Sequence, residues 1–257
     1  MARLCKLCKQ PTEKFAKSHC GIGRAFFHQF RGDDPNSVLV SLREEEKLSR
    51  RIQAGVWDDS ILCLGCEAKF SPFDDYGWKI LGKPDLSQAY FDGPHHLGYR
   101  IKCETDKLRR FVLSSLWRAS ISKIPAYEKL YLGPNETPMI ERVFDSTPLR
   151  PDEYPTSIWS LEKGYLGKNI EMIFAPVTNP LESGGLMCVL YLSAQLKIVT
   201  MVGDASCAPL PPRFLVIRPD QFVMPFMQKD YPNREADFVD HFRQGIQKQL
   251  KGGKKPR

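Results

Sequence analysis

The sequence predicts an α+β fold, with helices and strands segregated along the chain rather than alternating. Three observations lead there. Two C-x-x-C pairs, Cys5/Cys8 and Cys63/Cys66, mark a small N-terminal module. A helical repeat covers 106–122. From about 170 to 224 the pattern changes to short strands separated by turn residues. Hydrophobic residues make up 42% and charged residues 26% of the 257, enough apolar material for a real core, which excludes a wholly disordered chain.

Each element has a local reason. Residues 33–37 (Asp-Asp-Pro-Asn-Ser) read as a turn. A helix is expected over 42–54, where Glu46 and Arg50 sit at i,i+4 and Gly55 offers a stop; its apolar stripe is thin (Leu42, Leu48, Ile52). A short helix is expected to start near Cys66 and break around Pro72, with a further helical piece over 74–81. Residues 82–100, rich in Gly, Pro, Asp and His, read as a loop. They divide a 1–82 module from an 83–257 α+β domain. Over 106–122, Leu108, Phe111, Val112, Ser115, Leu116 and Ala119 form one continuous helical face, with Thr105 as cap and Pro125 as terminator. The proline-rich interval 130–168 reads as irregular. Strands are expected at Ile170–Val177, Leu186–Ser193, Leu196–Val202 and Phe214–Ile217, in an antiparallel region. Phe238, Phe242, Ile246 and Leu250 line one side of a closing helix over 234–250.

The formal charge of +7 is concentrated at the two ends. Residues 1–32 carry seven basic side chains against the single acid Glu13, and 243–257 carry six and no acid, so the body between is acidic. Clustered charge of this kind suits a polyanion such as nucleic acid, and Lys6, Lys9, Lys14, Lys17 and Arg24 are the expected backbone contacts. For the C-terminal cluster a loose solvated tail is the plainer reading.

Residues 1–25 hold no apolar run of signal-peptide length, and the most apolar stretch, 186–202, contains Ser193, Gln195, Lys197 and Thr200, too polar for a membrane span. A cytoplasmic protein is expected. A reducing compartment argues against a disulfide framework for the eight cysteines. Thiolates two residues apart can grip one metal from a tight knuckle, and two such pairs supply the four sulfurs of a tetrahedral Zn²⁺. The wide separation of the pairs suits a treble clef, in which the first pair sits on a knuckle and the second opens a helix. Four buried thiols, or a redox C-x-x-C, are the alternatives.

Cys5-x-x-Cys8, Lys17-Ser18-His19 and Asp58-Asp59-Ser60-Ile61-Leu62-Cys63-x-x-Cys66-Glu67 together resemble the zinc-stapled branch of the HNH endonuclease family, over roughly residues 3–82. That resemblance implies a ββα-metal fold, a structural Zn²⁺ on Cys5, Cys8, Cys63 and Cys66, and a second divalent site for Mg²⁺ or Mn²⁺. His19 aligns with the family's general base. Asp58 stands at the position of the Asn that orients it, and Glu67 at that of a metal-binding His. Ser18 replaces the usual metal-binding Asp, Glu or His, and Ser71 stands where some members have a further His. Phosphodiester hydrolysis needs a base of near-neutral pKa and a cation on the developing charge, and His19, Asp58 and Glu67 are the candidates. His19 also reads as a hydrogen-bonded structural side chain or a zinc ligand.

Other candidates carry plainer readings. His95-His96 with Cys103 could form a second metal site or simply an exposed loop. Trp117 could stack a base or pack in the core. Cys20 could replace a zinc ligand. Cys188 and Cys207 read as small buried side chains. Two functions follow: a nucleic-acid-contacting zinc protein, with endonuclease activity in its strongest form, or a non-catalytic zinc-stabilised scaffold or protein-interaction module.

Overall fold

In the computed structural model, the described residues are 3–20, 39–40, 51–52, 57–161, 176–181, 184–193, 196–203, 215–216 and 218–227. Short strands pair at the N-terminus: β1 (Arg3–Leu4) with β2 (Pro11–Thr12), β3 (Ser18–His19) with β6 (Trp57–Asp58), and β4 (Leu39–Val40) with β5 (Arg51–Ile52), all antiparallel. Arg51 and Ile52, expected in a helix, are therefore strand; the thin apolar stripe there gives a helix little to bury. The rest of that expected helix, the helix over 234–250, Arg24 and Cys207 lie outside the described residues.

Two helices follow, α1 (Leu64–Ala68) and α2 (Ser71–Leu81). The expected break falls at residues 69–70, just ahead of Pro72, which sits in the first turn of α2, where a missing N–H costs nothing. The expected loop then contains a hairpin, β7 (Ala89–Asp92) and β8 (His95–Lys102), with a bulge beside Phe91. Helix α3 (Thr105–Ser120) matches its predicted face: Leu108, Phe111, Val112, Ser115, Leu116 and Ala119 are all buried. Its other side is buried too, through Arg109, Arg110, Leu113, Trp117 and Arg118. The arginines are accommodated because flanking chain supplies acceptors. Arg110 donates to the carbonyls of Val143 (2.7 Å), Asp145 (2.6 Å) and Thr147 (2.6 Å), and Arg109 to those of Arg150 (2.9 Å) and Glu153. These bonds shape the interval after α4 (Glu136–Phe144), a helix inside the stretch expected to be irregular.

Strands β9 (Thr156–Leu161), β10 (Val177–Pro180), β11 (Leu186–Ser193), β12 (Leu196–Val202) and β13 (Gln221–Met227) join the β7–β8 hairpin in a seven-stranded sheet of order β10-β11-β12-β9-β13-β8-β7. The expected antiparallel region is in fact mixed. β13 is antiparallel to β8 but parallel to β9, through Phe226↔Ser160 and Met227↔Leu161, because it stitches two antiparallel groups together. One apolar cluster runs from Cys5, Ile61, Leu62, Cys66 and Phe70 through α3 to Ile101, Ile158, Leu190, Ile198, Phe222 and Met224. The cysteine knuckle thus shares one apolar core with the helical hub. Among the described residues, no helix is long and apolar enough to cross a membrane.

Candidate metal centre

The knuckle is built by backbone hydrogen bonds around Cys5. Its N–H donates to the Gln10 carbonyl (2.9 Å), its carbonyl accepts from Lys9 N–H (2.9 Å), and its sulfur accepts from Cys63 N–H (3.4 Å). The turn puts Lys9 at φ 58°, the left-handed region, where a non-glycine residue costs roughly 1–2 kcal/mol. Lys6 N–H to Ile61 O and Ala16 N–H to Leu62 O, both 2.8 Å, lay this segment along the approach to α1. Cys63 is the N-cap of α1 and Cys66 lies within it.

The result is a four-sulfur cluster. Cys5, Cys8, Cys63 and Cys66 place their sulfurs within 4.8 Å of one another, close enough to hold one metal ion. Cys5 and Cys66 are buried, Cys8 and Cys63 half-buried. Burial pushes the Cys5 thiol up, but N–H groups of Cys63, Cys8 and Leu7 outweigh it and bring it down to about 6. The shift favours the thiolate, the form a metal takes. The Cys66 thiol is pushed up, first by burial and then by the neighbouring thiols. A bound cation would remove that penalty by drawing all four groups into the thiolate form.

The polar residues beside the cluster are engaged elsewhere. Asp58 is 6% exposed. It accepts from Ser60 N–H (2.8 Å) and Oγ (2.6 Å), from Ser122 Oγ (3.0 Å) and from Lys123 N–H (2.9 Å), and so ties β6 to the end of α3. Burial raises its pKa, but these hydrogen bonds win and hold the carboxyl below its ordinary range. Glu67, on α1, faces Arg118 Nη1 at 3.7 Å. Burial lifts its carboxyl above the ordinary range against the Arg118 charge, the Ser18 hydroxyl and the His19 N–H. Ser18 is fully buried, yet neither Ser18 Oγ nor Glu67 Oε2 completes a hydrogen bond of normal geometry.

Arg118 is the centre that sequence reasoning missed. It is 2% exposed, grips both Asp74 carboxylate oxygens (2.8 and 2.5 Å), and lies 4.9 Å from the Phe70 ring centroid. Burial alone would weaken its charge; Asp74 and Glu67 more than compensate. Its carboxylate partners, Asp74 and Glu67, lie in other helices, so no local motif signals it.

The remaining candidates fall as follows. His19 is half-buried, paired across the ribbon with Trp57, whose ring is 6.4 Å away and tilted by 60°. Lys6, Lys9, Lys14 and Lys17 are all exposed. Cys20 is buried outside the four-sulfur set, and burial pushes its thiol up to about 12 despite Ser122 and Arg118. Trp117 is 3% exposed and stacks on Phe70, so it packs the core. His95 and His96 are exposed on β8, and among the described residues no metal-ligating group of three or more other than the four cysteines exists. Cys188 is buried, as expected.

No protein-family model matches the chain, and neither curated proteins nor solved structures provide a match. The HNH resemblance therefore rests on the quoted motifs alone.

Proposed function

We propose that the protein is a zinc-stapled scaffold whose N-terminal module is treble-clef-like and whose metal is structural. The carrying observation is the sulfur set itself: four cysteine sulfurs within 4.8 Å. Four thiolates complete a tetrahedral zinc shell, whereas a catalytic zinc keeps one position open for water or substrate. The neighbouring carboxylates favour the same reading. Asp58 holds backbone and hydroxyl donors, and Glu67 faces a buried guanidinium, so hydrolytic chemistry finds no support in this geometry. The exposed lysines around the knuckle serve as a basic rim for a nucleic-acid backbone.

Metal analysis of the purified protein tests the first part. Stoichiometric zinc is expected, falling sharply in Cys8→Ser and Cys63→Ser; a metal-free, fully folded protein would refute it. Plasmid incubated with Mg²⁺ or Mn²⁺ should stay intact, and His19-dependent cleavage would overturn the non-catalytic assignment. Duplex binding should weaken in Lys14→Glu/Lys17→Glu, with the salt slope falling by about one to two. Unchanged binding would remove the nucleic-acid part.

A further inference from the structure

The basic rim of the knuckle is interleaved with aromatic rings. Arg3 lies with its Cζ 4.5 Å from the centroid of Phe15, and Lys17 Nζ lies 5.3 Å from the ring of Trp57. Both rings are half-buried and both cations exposed. The backbone that carries each ring is held by the framework: Phe15 forms an isolated bridge with Cys63, and Trp57 is paired with His19 in the β3–β6 ribbon. Residues 3–20 carry Arg3, Lys6, Lys9, Lys14 and Lys17 against Glu13 alone.

We infer that this surface binds single-stranded nucleic acid, with Trp57 and Phe15 as stacking platforms for unpaired bases and Arg3 and Lys17 as phosphate partners. The inference rests on the nucleic-acid reading of the basic rim and adds the class of strand. Relative magnitudes decide the arrangement. An exposed cation–π contact is worth about 0.5–1 kcal/mol, while a base stacked on an aromatic side chain is worth about 1–3 kcal/mol. A base therefore displaces the cation from the ring. The displaced cation stays within reach of that nucleotide's phosphate, so the charge is reused rather than lost. A duplex keeps its bases stacked on one another and offers these rings nothing. The positive charge of the segment supplies the complementarity that a polyanion needs.

The test is fluorescence anisotropy with labelled oligothymidylate, oligouridylate and a duplex of matched length, using the full zinc-loaded chain. The two single-stranded probes distinguish DNA from RNA as the source of the same chemistry. Wild type should bind at least one of them more tightly than the duplex and lose tryptophan emission on binding. Trp57→Ala should weaken single-strand binding about fivefold or more and leave duplex binding unchanged, while Trp57→Phe should retain most of the affinity. Zinc content and Tm of each variant verify that the module is folded. Trp57→Ala with wild-type single-strand affinity overturns the inference. Single-strand binding that depends on Lys14 and Lys17 but is no tighter than duplex binding and does not depend on Trp57 leaves the basic-rim reading standing and removes this one. A wild-type protein that binds no probe removes both.

Discussion

Removing the Arg118 charge should be less damaging than removing its best partner. Arg118→Met deletes a guanidinium that makes two contacts to Asp74, one longer contact to Glu67 and a stacking contact on Phe70. The carboxylates it leaves behind are not sealed in, since the side chains of Asp74 and Glu67 are 32% and 21% exposed. Water can take over part of their solvation, and methionine fills much of the vacated volume. The expected loss is about 2–3 kcal/mol, below the 3–5 kcal/mol typical of a fully buried broken pair. For a chain of this size that is roughly 4–12 °C in Tm. Asp74→Asn leaves the opposite residue, a guanidinium only 2% exposed, with Glu67 at 3.7 Å as its remaining carboxylate. It should cost about 3 kcal/mol or more. The double variant should cost less than the sum, with a coupling of about 1 kcal/mol or more. Urea denaturation of the zinc-loaded protein at neutral pH measures all three. Strict additivity, or a loss below about 0.5 kcal/mol for either single variant, would refute the idea that this triad clamps α1 and α2 to α3.

Three further expectations follow from the packing. Gly77 lies where α2 crosses α3, and a Cβ there would sit 2.4–2.6 Å from the Phe111 ring; Gly77→Ala should destabilise by about 1–3 kcal/mol, because overpacking outweighs the ~1 kcal/mol gain in helix propensity, and a rise in Tm would contradict this. Asp58→Asn should lose about 2 kcal/mol, since an amide cannot accept from all four of its donors; a near-neutral result in urea titration would mean that those bonds are weak. Glu153 has its carboxyl lowered, chiefly by the Arg142 hydrogen bonds (3.1 and 2.9 Å), so its contribution is present above the unfolded value of about 4.3 and disappears as pH falls through the lower folded value. The stability gap between wild type and Glu153→Gln should therefore be open at pH 7 and close below about pH 4, and a gap constant across that range would sink the assignment.

The legible parts were those written in local pattern. The α3 stripe was visible because its period matches a helix, and the two C-x-x-C pairs because metal-ligand spacing is short-range. The β7–β8 hairpin was hidden by Gly, Pro and Asp in 82–100, a composition that normally marks loops; it forms because β13 supplies a partner for β8 from more than a hundred residues away. Helix α4 was hidden by Pro138, which is harmless in a first turn. At the site, the partners of Asp58 and Glu67 (Ser122, Lys123 and Arg118) are remote in sequence, so the local motif carries no sign of them. The buried side of α3 was missed for a related reason: arginine reads as surface until loop carbonyls are found to receive it.

The β3–β6 ribbon has a consequence for the course of the chain. Ser18 faces Asp58 and His19 faces Trp57, so the interval 21–56 leaves and rejoins the framework at neighbouring points. Tyr127 fixes one of those points by donating its hydroxyl to the Cys20 carbonyl, and Asp58 fixes the other through Lys123. The two ends are thus held by contacts made outside the interval. A short ribbon and two remote hydrogen bonds thus set where the chain must return to the knuckle.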